Sequence, residues 1–293
     1  MKHPDLPVIA LLGTIFLLTS CSTPVPTSAK GRIALNKATH ERCVEVLREG
    51  LRGDEFWPAI HAAEGLTLGG YGKEVIEFLE PKLATEKDDQ KLCGISREII
   101  RAGDRSKAKV MLNILAGDDP HGHVHAAESL YKVGEIGDGV AMRKRFSNPD
   151  GNHILKLMAA AALAKQGDFE AMRHLRNSMF YTDENRYRIA AWILGRIGDK
   201  RDISLLRGRL GDSKDPVVDA YLNHSLAALG DKAGMKALAA NLESDNAAIR
   251  TYAATFAGDA KAYHLAAKLI KMLDDPHGDA RYRAAQTLLQ LSR

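Results

Sequence analysis

One tetrapeptide, His-Ala-Ala-Glu, occurs twice in this chain of 293 residues, at His61 to Glu64 and at His125 to Glu128. A spacing of three puts imidazole and carboxylate on one side of a helix. A histidine so placed is poised near neutral pH, and the glutamate can orient it, which is the core of an acid–base centre. The same pair is also an ordinary solvated helix face. A second chemistry starts from Asp119-Pro120-His121-Gly122-His123-Val124-His125. There His121 and His125, with Glu128 a turn further on, have the spacing of three metal ligands. The catalytic-zinc pattern His-Glu-x-x-His is absent, so no cofactor is expected.

Other enzyme classes find little support. No Gly-rich phosphate loop follows a strand pattern, no nucleophile elbow is present, and Ser, His and Asp fall in no recognisable hydrolase order. The formal charge of +4 is spread along the chain without basic blocks, so nucleic acid is not expected as a partner.

Helices must position these side chains. Only 6% of residues are aromatic. Ala, Leu and Gly abound while β-branched runs are scarce, which predicts an all-α fold. Gly followed by an acidic residue recurs at Gly103, Gly134, Gly167, Gly198, Gly230 and Gly258, at intervals of 31, 33, 31, 32 and 28. Upstream of these markers lie helix starts such as Asp119-Pro120, Asp183-Glu184, Asp215-Pro216 and Asp275-Pro276, where Asp caps and Pro suits the first turn. The Gly is then expected to end that helix, and a second helix follows. Each unit reads as a helical hairpin, and hairpins of this size must stack to bury their apolar faces.

The stretch Asn185-Arg186-Tyr187-Arg188-Ile189-Ala190-Ala191-Trp192-Ile193-Leu194-Gly195-Arg196-Ile197-Gly198-Asp199 resembles HEAT-like repeats of the phycobilisome-lyase type. The resemblance runs from about residue 54 to 293 and implies an α-α superhelix of about seven to eight hairpins, open along a concave groove lined by the Asp-Pro helices. It implies nothing about activity. Residues 32–53 read as an N-terminal capping helix, and the last unit stops after its first helix.

Aligning the units on that resemblance gives stripes at i, i+4 and i+7. The first three are Trp57-His61-Glu64, Gln90-Gly94-Arg97 and His121-His125-Glu128. They gather His61, Glu64, Arg97, His125 and Glu128, with Arg97 placed between the two carboxylates and Gly94 leaving a gap between the two histidines. Later stripes bring Trp192, Tyr221, His224, Tyr252 and Arg283 to the groove. With Trp57, these are the expected binding residues, and the aromatics among them suit a sugar ring or an extended peptide.

Residues 1–20 carry Lys2, then an apolar run from Val8 to Leu18, then Leu18-Thr19-Ser20-Cys21. The run is too short to span a bilayer and reads as a secretory signal. The tetrapeptide resembles a bacterial lipobox, which implies a lipidated Cys21. Residues 21–31 then form the lipidated Cys and a polar tether, with 54–293 as the repeat solenoid. Localisation at the cell envelope follows, facing the periplasm or at the outer membrane, with the membrane as a partner through the lipid. Cys43 and Cys93 are expected as buried, inert thiols in preference to a bridge. The leading expectation is an envelope-anchored scaffold that binds a protein or glycan in its groove. The alternative is a polysaccharide-acting enzyme, a lyase or hydrolase, using the His/Glu/Arg cluster.

Overall fold

The computed structural model describes residues 31–293, and Cys21 with its signal segment lies outside the described residues. Among these, sixteen α-helices alternate between two layers. The first four hairpins pair α1 (Lys37–Leu51) with α2 (Phe56–Leu68), α3 (Gly72–Thr85) with α4 (Asp89–Arg101), α5 (Ala108–Ala116) with α6 (His123–Val133), and α7 (Val140–Ser147) with α8 (His153–Lys165). The next four pair α9 (Phe169–Ser178) with α10 (Glu184–Ile197), α11 (Ile203–Arg207) with α12 (Pro216–Ala228), α13 (Lys232–Asn241) with α14 (Ala247–Asp259), and α15 (Ala266–Lys271) with α16 (Gly278–Ser292). No helix among the described residues is long and apolar enough to cross a membrane.

Local chemistry sets the helix starts. The side chains of Asp88, Asn152, Asp168, Asp183, Asp215, Asp231 and Asn246 each accept a backbone N–H in the first turn of the helix that follows. These bonds satisfy donors that the helix itself leaves open. Two expected starts are displaced. In the matching peptides Asp119-Pro120-His121-Gly122 and Asp275-Pro276-His277-Gly278, the Asp accepts the N–H two residues on, at 2.9 Å and 2.8 Å, closing a turn ahead of the helix. The helices α6 and α16 consequently begin at His123 and Gly278.

The Gly markers also divide. Gly103, Gly134, Gly167 and Gly230 have positive φ and stand just beyond helix ends, as a left-handed terminator requires. Gly198 and Gly258 do not: Gly198 ends α10 with φ −80°, while Gly258 lies inside α14 and the positive φ falls on Lys261 instead. The short interval of 28 is the trace of this shift, which makes Asp259 the last residue of α14 rather than the cap of the next helix.

The even-numbered helices form the inner layer, each packed on the next, and α16 returns to pack on α2. The stack is therefore an α-α superhelix closed into a ring, not the open groove expected from the repeat alone. The seam is held where Ile33 donates its N–H to the Leu291 carbonyl at 3.1 Å. Helix α1 lies over both α2 and α16, burying Cys43, Val44, Val46 and Leu47.

Candidate functional site

Closure of the ring turns the rows of inward side chains into the wall of an axial cavity of about 690 Å³, to which all eight inner helices contribute. Of the residues aligned from the sequence, His61, Glu64, His125, Glu128, Trp192, Tyr221, Tyr252 and Arg283 line it. Trp57, Arg97 and His224 do not. His224 is fully buried, and its Nε2 meets the Asn241 amide at 3.0 Å, so it is not available to a ligand.

The gap expected at Gly94 is filled. The Trp57 ring stacks on the His125 imidazole with centroids 5.1 Å apart. A Cβ at position 94 would sit 3.2 Å from Trp57 and 3.3 Å from Phe56. The indole thus reaches from α2 to α6 across α4. His125 has an unpartnered buried Nδ1, and burial holds its protonation below the ordinary range.

Arg97 does not bridge Glu64 and Glu128. Its Nε donates to Glu98 at 2.7 Å, and other cations take the two carboxylates. Arg101 lies 3.2 Å from Glu64 on one side and Arg283 lies 2.8 Å from it on the other. Burial alone would raise the Glu64 carboxyl, but Arg101 and Arg283 hold it well below the usual range. Lys132 sits 2.7 Å from Glu128. Against the upward pull of burial, Lys132 and Arg97 bring that carboxyl down to about 2.

Arg101 and Lys132 were not among the expected site residues, yet a simple rule finds them. Continuing the eight stripes, which start at Trp57, Gln90, His121, Ile154, Asn185, Val217, Ala248 and Asp279, to i+11 gives Leu68, Arg101, Lys132, Lys165, Arg196, Ala228, Asp259 and Gln290. Seven of these eight line the cavity, Ala228 being the exception. Four are cations in the last turns of α4, α6, α8 and α10, where the helix C-terminus favours positive charge. Arg196 reaches over α12 to within 2.6 Å of Asp259 Oδ2, an ion pair without an aligned hydrogen bond. Burial pushes the Asp259 carboxyl upward despite that neighbour.

At the other end of the cavity, His61 Nδ1 lies 2.7 Å from Asp279 Oδ1, joining α2 to α16. Burial is the largest influence on His61 and lowers its protonation, with Arg283 acting the same way and Asp279 opposing. Among the described residues, Nε2 has no protein partner.

A balance of charge follows. Six Lys or Arg and four Asp or Glu line the cavity. Glu64, Glu128, Asp259 and Asp279 are engaged as described, which leaves Lys165 and Arg188 with no carboxylate among the described residues. Lys165 donates to the Tyr131 carbonyl at 3.2 Å. Arg188 donates to the Asn185 amide oxygen at 2.6 Å and lies over the Tyr221 ring at 4.8 Å.

The aromatic track is largely packing. Trp192 is 9% exposed and meets Tyr131 edge-on, while Tyr221 is 4% exposed and leans on Tyr252. Tyr252, at 37%, is its open member. The three metal-spaced residues do not converge. His121 precedes α6 and pairs with Asp88 at 3.0 Å, His125 faces Trp57, and Glu128 faces Lys132. No group of three or more potential ligands forms among the described residues. Cys43 and Cys93 are buried, unbridged thiols, each pushed up to about 12 by burial.

No protein-family model matches the sequence, and no curated protein matches it. The solved structure of human deoxyhypusine hydroxylase in complex with glycerol is similar with a TM-score of 0.40 and 16% identity, over 86% of this chain and 97% of that one.

Proposed function

We propose that this protein is a binding protein for a small acidic ligand, a short uronate-type oligosaccharide, held in the axial cavity and presented at the cell envelope through a lipid on Cys21. The observation that carries this reading is the pair of cavity cations, Lys165 and Arg188, whose charge no carboxylate among the described residues offsets. A partly enclosed low-dielectric site strengthens the attraction of such cations for an anion. Arg188 is set by its bond to Asn185 and its stack on Tyr221, so its fork is oriented before a carboxylate arrives. The Tyr252 ring offers a face for a sugar, and a volume of about 690 Å³ is in the range of small-ligand sites.

Ring closure moves the reading away from an extended protein partner, because the inner faces look into the lumen instead of along an accessible groove. Calorimetric titration of the purified protein with a galacturonate trimer, against the neutral galactose trimer, tests it. The acidic sugar should bind, and Arg188→Gln or Lys165→Gln should weaken it about tenfold, the loss of one charge-assisted contact. Equal affinity for the neutral sugar, or unchanged affinity in both variants, would overturn the reading.

A further inference from the structure

We propose that His61 and Asp279 form a proton-transfer dyad acting on the acid held in this cavity, removing the proton from the carbon beside its carboxylate so that a linked uronate is cleaved by β-elimination. The inference rests on the binding reading above and adds a reaction to it.

The geometry is that of a base held by an orienting group. Both residues line the cavity, and the 2.7 Å contact from Nδ1 to Asp279 Oδ1 fixes the ring. With the Nδ1 proton donated to that carboxylate, Nε2 carries the lone pair, and among the described residues it meets no protein group. Asp279 is a positioning residue, since it touches His61 and leaves the reacting atoms to Nε2. The nearest cation along α16, Arg283, is already committed to Glu64 and Gln286. Burial and Arg283 favour the neutral imidazole, the form a base needs at neutral pH. By ring order α10 is the inner helix opposite α2, and Arg188 lines the same cavity as the dyad. An oligomer long enough to span the lumen can set one carboxylate on Arg188 and the acidic carbon of another unit beside His61 Nε2.

The step balances without an oxidant or reductant. The C–H bond breaks and its proton passes to Nε2. The electron pair becomes a C=C bond as the C–O bond on the β-carbon breaks. The leaving alkoxide takes a proton from water, and the imidazolium returns its proton to solvent. Glycoside hydrolysis fits less well, because it needs two available carboxyl groups. Every carboxylate of the cavity is already engaged, by Arg101 and Arg283, Lys132, Arg196 or His61.

The test follows the ultraviolet absorbance of the unsaturated product when the purified protein meets galacturonate trimer, mannuronate trimer or a hyaluronan tetrasaccharide, with calorimetric binding of each alongside. The wild type should yield the product from at least one of them. His61→Gln should bind that sugar as the wild type does while its rate falls at least ~100-fold. Asp279→Asn should lower the rate and move the acid limb of the pH profile downward, because the lost carboxylate had raised the His61 proton affinity; a purely structural role would leave that limb in place. Binding without product from any of the three, or undiminished turnover in His61→Gln, overturns the dyad and leaves the binding reading standing. Absence of binding overturns both.

Discussion

The indole of Trp57 lies stacked on the imidazole of His125 with their planes 21° apart, across a helix that presents only Gly94 between them. A protonated imidazole withdraws electrons from an excited indole, so this contact should report the charge of His125. Trp57 emission is expected to fall on acidification below pH 6.5, since burial places His125 under that ordinary value. Trp192, the other tryptophan, supplies a background that Trp57→Phe isolates. If the acid quench survives in Trp57→Phe, the stack is not its source.

Acid should also destabilise the fold through His224. Burial lowers its folded value to about 3, from an ordinary 6.5. Between those limits the unfolded chain binds the additional proton, so stability is full above the upper limit and falls as pH drops through the window. One protonation contributes at most about 1.4 kcal/mol per pH unit. Urea unfolding of wild type should therefore lose about 2 to 3 kcal/mol between pH 6.5 and 4.5 that His224→Leu does not lose. Parallel stability curves for the two proteins would refute this.

The seam should be intolerant of small additions. A Cβ on Gly65 would sit 2.6 Å from Leu47 Cδ2 and 3.1 Å from Gln286 Cβ, at the meeting of α1, α2 and α16. In an isolated helix Gly→Ala gains about 1 kcal/mol. Here Gly65→Ala is expected to destabilise by about 1 to 3 kcal/mol through overpacking. Leu47→Ala, at a fully buried position, should cost about 2 to 5 kcal/mol by leaving a cavity. A raised melting temperature in Gly65→Ala would show that the helices are not so closely apposed.

The pair across α12 should behave as a unit. Arg196→Met strands the Asp259 carboxylate in a buried setting and is expected to cost about 3 kcal/mol. Arg196→Met combined with Asp259→Leu removes both charges and should recover part of that loss. A double-mutant cycle in chemical denaturation measures the coupling, and strict additivity would mean that the two do not interact.

Much of this is legible in the sequence alone. The marker intervals gave the hairpins, and stripes at i, i+4 and i+7 brought eight expected residues to one wall. The missed residues have physical causes. Arg101, Lys132 and Arg196 lie one turn past i+7, the last position of the stripes. Asp259 was masked by its marker, although the interval of 28 signalled that α14 continued through it. Asp119-Pro120 has the form of a helix cap, which predicts His121 on the helix, but the following His-Gly closes a turn first. Closure itself is a sum of small rotations between neighbouring hairpins, and no single residue encodes it. The glycines at the seam, Gly50 and Gly65, show their purpose only once Tyr282 and Leu47 are seen against them.

Most stacked-hairpin proteins fold from contacts between sequence neighbours, and any segment can lead. Here the bond from Ile33 to Leu291 and the pair from Arg283 to Glu64 demand an encounter between distant parts of the chain. Such encounters are entropically late events, since the intervening polypeptide must be ordered before they are rewarded. During synthesis the first hairpins leave the ribosome with one flank of α2 bare, and it stays bare until α16 emerges. Cooperative stability is in this sense withheld until α16 has been made, and a product truncated before it would keep an exposed apolar edge as a mark by which quality control can recognise it.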